Sequence, residues 1–154
     1  MSILIENLLK TPYPVTESAA FALACGARVS GGTDMQRLSR ETAARGGLLV
    51  YTTDDQDMLL QALKNGGMAI ANVGGDRQGY SGVFSDGGHY VVVRRVMGDG
   101  RLLVLDPYLY DSKYTTAYRA ARVERVGNLL FCAPGVLHRD CENRKPRYYI
   151  FKAK

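Results

Sequence analysis

Ser85-Asp86-Gly87-Gly88-His89-Tyr90-Val91-Val92-Val93, followed after a short gap by Val104-Leu105-Asp106-Pro107-Tyr108, is the stretch that decides how this chain is read. His89 opens a strongly β-prone run to Met97. Gly98-Asp99-Gly100 is a tight hairpin signal, and Arg101 to Asp106 is the partner strand. Pro107 has no backbone N–H to donate, so the chain leaves the sheet there. With the turn so placed, His89 and Asp106 lie toward the end of the ribbon opposite the turn, within a few residues of the same level. An aspartate in that position accepts a hydrogen bond from one ring nitrogen of His89. That fixes the tautomer and leaves the other nitrogen free to take a proton from a nucleophile. Gly87 and Gly88 put no side chain beside the histidine, which suits close approach of another backbone and marks them as candidate substrate-binding positions. Spacing alone leaves two readings open. The same letters also describe a loop ending in an exposed histidine, with Asp-Pro as an ordinary turn opener.

Working outward, the N-terminal third reads as helical. Ile3, Leu4, Leu8 and Leu9 fall at helical spacing within Ser2 to Lys10, with Ser2 able to cap. Thr11-Pro12-Tyr13-Pro14 breaks that helix. Thr16 is expected to cap a second helix reaching Ala24 or Cys25 and stopped by Gly26. Ser30-Gly31-Gly32 is a turn, and Thr33 with Gln36 forms a capping box for a third helix that Gly46-Gly47 ends. Leu48 to Thr52 reads as a strand. Thr53 with Gln56 forms a second capping box, opening a helix through Leu63 that ends at Gly66-Gly67. Met68 to Val73 is a buried strand, and Gly74 to Gly88 a glycine-rich surface loop. Tyr108 to Val126 reads as irregular, and Tyr148 to Lys152 as a last strand. Helices first and antiparallel strands afterwards make an α+β pattern within one domain spanning 1–154.

Composition sets the outer bounds. With 154 residues, 46% of them hydrophobic and 23% charged, the chain can bury a real core and is neither disordered nor fibrous. Its longest apolar runs are far too short to cross a bilayer, so no membrane partner is expected. Met1 to Lys10 has no basic leader, long apolar stretch or small-residue cleavage site, which gives a cytoplasmic expectation with an upstream signal left open. The net charge of +5 comes from arginines and lysines gathered toward the C-terminus, among them Arg119, Arg122, Arg125, Arg139, Arg144, Lys145 and Arg147. No nucleic-acid motif accompanies them. A solvated basic face accounts for the surplus, and nucleic acid is not the expected partner. Cys25, Cys132 and Cys141 are an odd set that argues for reduced thiols. Cys132, His138 and Cys141 lack a fourth ligand for zinc, so neither a metal nor another cofactor is expected. His138, in Leu137-His138-Arg139-Asp140, reads as a solvated residue of a polar turn.

The Gly-Gly-His strand followed by a strand ending in Asp-Pro resembles the bacteriocin-processing-peptidase-like branch of the papain-like cysteine peptidases. Val15-Thr16-Glu17 with Val29-Ser30-Gly31-Gly32-Thr33 is similar to that family's second helix and glycine-rich turn. Leu59 to Gly66 before Met68-Ala69-Ile70 is similar to its helix and strand ahead of the histidine loop. The resemblance covers 2–110 and leaves 111–154 unassigned. It implies a papain-like fold, a helical N-terminal part packed on an antiparallel sheet, with His89 and Asp106 as catalytic residues acting on a peptide or protein substrate. It also implies a Cys-Gly pair at the start of the first helix, preceded by a glutamine that lends an oxyanion donor. In this register the cysteine belongs a few residues before Met1. The expectation is therefore a peptidase domain inactive as it stands, or alternatively a non-catalytic peptide-binding domain on a peptidase fold. Cys25 is followed by Gly26 as the family nucleophile is. It sits, however, at the C-terminal end of a helix, where no free amides or positive dipole end depress a thiol pKa.

Overall fold

The structure is a computed structural model describing residues 1–154. It is α+β, with six helices, a seven-stranded sheet and a separate two-stranded hairpin. The elements are α1 (Ser2–Leu9), α2 (Val15–Ala24), β1 (Arg28–Val29), β2 (Gly32–Thr33), α3 (Met35–Gly46), β3 (Leu48–Thr53), α4 (Gln56–Lys64) and β4 (Met68–Val73). They continue as β5 (His89–Val96), β6 (Leu102–Leu105), α5 (Ala117–Ala120), β7 (Val123–Val126), β8 (Leu129–Cys132), α6 (Pro134–Asp140) and β9 (Tyr148–Ala153). No helix is long and apolar enough to cross a membrane. The chain divides into two compact units, 1–51 with 151–154, and 52–150.

In the first unit the helices follow the sequence reading, but their caps do not. α2 begins at Val15 with Pro14 as its cap, one residue before the expected Thr16. The cap of α3 is Asp34 rather than Thr33: its carboxylate accepts the Arg37 amide at 2.9 Å. An ionised carboxylate at a helix N-terminus is also attracted by the positive end of the helix dipole, a charge interaction that a hydroxyl does not make. Ser2 does not cap α1. Its hydroxyl donates to the Tyr13 carbonyl, tying the helix to the chain beyond it.

The second unit holds the strands in the order β9-β4-β5-β6-β8-β7. Here too an aspartate displaces the expected threonine cap. Asp55 accepts the Asp57 and Met58 amides at the start of α4, while Thr53 accepts the Asp55 amide. β4 pairs antiparallel with β5, Val73 opposite His89, and β5 pairs with β6, Val92 opposite Leu105. Val91, Val93, Val104 and Ile150 are buried and form the middle of the core with Leu59, Met68 and Phe84. The span 108–126 is not irregular throughout. Thr116 caps the short α5, and β7 and β8 form a second hairpin closed at Gly127.

Candidate active site

The pairing register places the two candidate residues. Val92 stands opposite Leu105, so Asp106 is level with Val91. Alternate residues of a strand share a face, so His89 and Val91 lie on the same one, and Asp106 becomes the diagonal neighbour of His89 across the ribbon. His89 Nε2 is 2.8 Å from Asp106 Oδ1. The two residues meet as the sequence spacing anticipated. With Nε2 facing the carboxylate, the tautomer of a neutral ring that satisfies the contact carries its proton on Nε2 and leaves the Nδ1 lone pair free.

The rest of the cluster was not legible as motif. Lys113 Nζ lies 2.6 Å from Asp106 Oδ2, and the Tyr114 hydroxyl donates to the same oxygen at 2.7 Å. The Tyr108 amide donates to Oδ1 at 2.9 Å, closing an Asx-type turn around Pro107. Lys113 also donates to the Tyr108 carbonyl at 3.0 Å. The Asp106 side chain is wholly buried, Lys113 is 3% exposed and His89 19%. Burial opposes ionisation of Asp106. The hydrogen bonds from His89, Lys113 and Tyr114 outweigh it and lower the carboxyl from 3.8 to about 2. Burial, reinforced by the hydrogen bond to Asp106, pushes the Tyr114 phenol far above its usual range, so it acts only as a donor. His89 therefore leans on a carboxylate that stays charged and is gripped from four sides. The Tyr108 ring meets His89 edge-on at 6.4 Å and Tyr110 at 5.7 Å, and both tyrosines are exposed.

The loop from Gly74 to Gly88 that delivers His89 is not the surface loop its glycines suggested. Val83 and Phe84 are fully buried. Asp140, also fully buried, accepts the Val83 and Phe84 amides at 2.9 and 3.0 Å and the Tyr80 hydroxyl at 2.9 Å. The neighbour of Gly88 is likewise not the backbone expected. A Cβ there would fall 2.3 Å from the Arg144 guanidinium, and one on Gly87 would meet nothing. Backbone against backbone occurs earlier in the loop. A Cβ on Gly82 would be 1.9 Å from the Ser85 carbonyl, and one on Gly75 (φ +75°) 2.4 Å from that of Gly87.

The cysteines and the second histidine stand apart from this cluster. All three thiols are free. Burial pushes Cys132 up to about 12 and raises Cys141 as well, so both are inert. Cys25 caps the C-terminal end of α2, with its thiol 3.6 Å from the Ala22 carbonyl. His138 is in α6 rather than in a solvated turn. Its Nδ1 is 3.0 Å from the Tyr148 hydroxyl and its Nε2 2.7 Å from Arg147. Burial, followed by the Arg147 charge, lowers its pKa. No cluster of histidine, cysteine and carboxylate side chains is arranged to hold a metal ion. Much of the C-terminal arginine surplus is bonded internally: the Arg119 guanidinium to Asp86, that of Arg125 to the Tyr110 and Asp111 carbonyls, and that of Arg147 to the Asp54 and Glu142 carbonyls. The chain matches no known family model and no characterised protein.

Proposed function

We propose that this chain has a papain-like cysteine-peptidase fold, with His89 as its acid–base residue and Asp106 as the group that orients it. The 154 residues by themselves bind peptide without hydrolysing it. The observation that carries this reading is the 2.8 Å contact from His89 Nε2 to a carboxylate held ionised by Lys113 and Tyr114. A fixed imidazole with a free Nδ1 is what a thiol nucleophile requires. It would take the thiol proton as the thiolate attacks a peptide carbonyl, then return it to the departing amine, after which water hydrolyses the acyl-thioester. Gly87, where an added Cβ would meet nothing, is the proposed edge along which a substrate chain runs; Gly88, whose space Arg144 takes, is not proposed to meet it. None of Cys25, Cys132 and Cys141 is placed to supply that thiol, since two are buried and held protonated and the third lies at the wrong helix end.

The exposed Tyr108 and Tyr110 rings favour the peptide-binding half of this reading. Amphipathic rings standing in water beside a candidate acid–base residue offer contact area to a chain laid across them. The test pairs two measurements: hydrolysis of fluorogenic peptides with labelling by an activated-thiol probe, and fluorescence polarisation with a labelled peptide library. The expected result is no turnover, together with peptide binding that weakens in Tyr108→Ala. Turnover that depends on His89 and disappears in Cys25→Ala would overturn the assignment of the cysteines. Absence of both turnover and binding would end the peptidase reading.

A further inference from the structure

A second feature of the 52–150 unit is unrelated to the His89 cluster. An open cleft of ≈ 740 Å3 is lined by Arg77, Arg122 and Arg139, with Tyr80, Tyr118 and Asp76 between them. The guanidiniums lie over rings: the Arg77 Cζ is 3.9 Å from the Tyr80 centroid, that of Arg122 3.8 Å from the Tyr118 centroid, and that of Arg139 5.1 Å from the Tyr80 centroid. The rings are themselves anchored. The Tyr80 hydroxyl donates to buried Asp140, and that of Tyr118 donates to the Ser81 carbonyl at 2.6 Å. Stacking on anchored rings reduces the rotamer freedom that a surface arginine loses on binding, so these donors are arranged beforehand.

Their charges are incompletely answered. Arg77 pairs with Glu142 at 2.8 Å, whereas Arg122 and Arg139 enter no ion pair. Asp76 is the one acidic side chain in the lining, and its Oδ1 is occupied by the Gly82 amide at 2.6 Å.

We infer that this cleft is a binding site for the phosphate group of a small ligand. Phosphate rather than carboxylate fits for two reasons. A terminal phosphate carries roughly −1.5 to −2, so it offers Arg122 and Arg139, neither of them ion-paired, more charge than a single carboxylate does. Its three oxygens also suit several planar forks converging from different elements, here the 74–88 loop, the segment after α5, and α6. The volume is in the range of small-molecule sites, and its open form admits the rest of such a ligand.

The test is calorimetric titration of the full chain with pyrophosphate at low ionic strength, with tri-glutamate as the carboxylate counterpart. Saturable pyrophosphate binding is expected. It should weaken by roughly tenfold or more in Arg122→Gln and in Arg139→Gln, and be partly restored in Arg122→Lys. Arg40→Gln, which removes the same charge outside the cleft lining, should leave the affinity within about twofold. Circular dichroism on each variant separates loss of the site from loss of the fold, and Arg122→Gln, at an exposed position, carries the test if Arg139→Gln unfolds. No saturable binding would overturn the inference, as would equal weakening in Arg40→Gln. Tighter binding of tri-glutamate than of pyrophosphate would overturn the choice of phosphate.

Discussion

Asp106 and Asp140 are the two buried aspartates of the 52–150 unit, and each is gripped by several donors, yet their acidities move in opposite directions. Asp106 is lowered to about 2, and Asp140 is raised above its ordinary 3.8. The difference lies in what holds them. Burial acts on both against the charged form. At Asp106 it is outweighed by donors that include the Lys113 ammonium at 2.6 Å and the His89 ring. Burial is the largest single influence at both; at Asp140 the donors are two backbone amides and a phenol, all neutral, and they do not outweigh it. Arg77 favours the ionised form of Asp140 only as the smallest of the recorded influences. A carboxylate held by neutral dipoles clamps a loop. One held by a buried ammonium can also keep an imidazole in place at a pH where other carboxylates titrate.

The comparison breaks most visibly when one partner is removed. Asp106→Ala leaves Lys113 buried with its charge unanswered and should cost about 3–5 kcal/mol in chemical denaturation. Asp106→Asn, which keeps an oxygen toward His89 Nε2, should cost less. Equal losses in the two variants would mean that the cluster does not depend on its charge. Asp140→Ala orphans three donors and should cost about 2–4 kcal/mol. Its signature is local: the Val83 and Phe84 amides should lose protection in hydrogen exchange while β5 keeps its own. If those amides stay protected, the loop is held by something other than Asp140. Gly82→Ala attacks the same clamp from the backbone side, since its Cβ would fall on the Ser85 carbonyl. Loosening of the same amides is expected.

Acid sharpens the contrast. The Asp106 pKa is depressed in the folded state, so its stabilisation is complete above the unfolded value near 3.8 and is lost as pH falls toward about 2. The loss amounts to roughly 2 kcal/mol across that window. Asp140 has the opposite sign. Its raised pKa means that ionisation costs stability as pH rises through the folded value, and acidification relieves that cost. Denaturation midpoints measured from pH 5 down to pH 2 should therefore fall less steeply in Asp106→Asn than in the parent. In a background of Asp140→Asn the fall should be steeper than in the parent. Parallel curves for all three would show that neither carboxyl is shifted.

How much of this was legible in the sequence depended on whether a feature was local. The β5–β6 hairpin announced itself through period, turn glycines and the proline after Asp106, and its register then fixed the His89–Asp106 pair with no help from distant residues. Lys113 and Tyr114 carried no such signal. A lysine in a tyrosine-rich, irregular stretch reads as solvated until a carboxylate is known to wait beneath it. Asp140 was hidden for the same reason. Its partners Val83 and Phe84 are more than fifty residues away, and Leu137-His138-Arg139-Asp140 looks polar although its last residue is fully buried. The displaced helix caps are a smaller lesson. Thr33 and Thr53 each match a capping box, but an aspartate follows within two residues and takes the amides instead. A carboxylate is the better acceptor at a positive helix end.

The smallest expected effect concerns Gly88, the residue that joins the clamped loop to the histidine. Its absent side chain looked like room for a second backbone, and the space is instead filled by the Arg144 guanidinium. The far end of a long side chain moves aside easily, and Gly88 is not among the positive-φ glycines, so Gly88→Ala should change stability by no more than about 0.5 kcal/mol. A double-mutant cycle decides whether Arg144 is the reason for any loss. In an Arg144→Ala background the alanine at 88 should cost nothing, because the three atoms nearest to it are gone. A cost that persists there would mean the glycine answers to the backbone at His89, and the Asp106 side of the comparison would then be built as tightly as the Asp140 side.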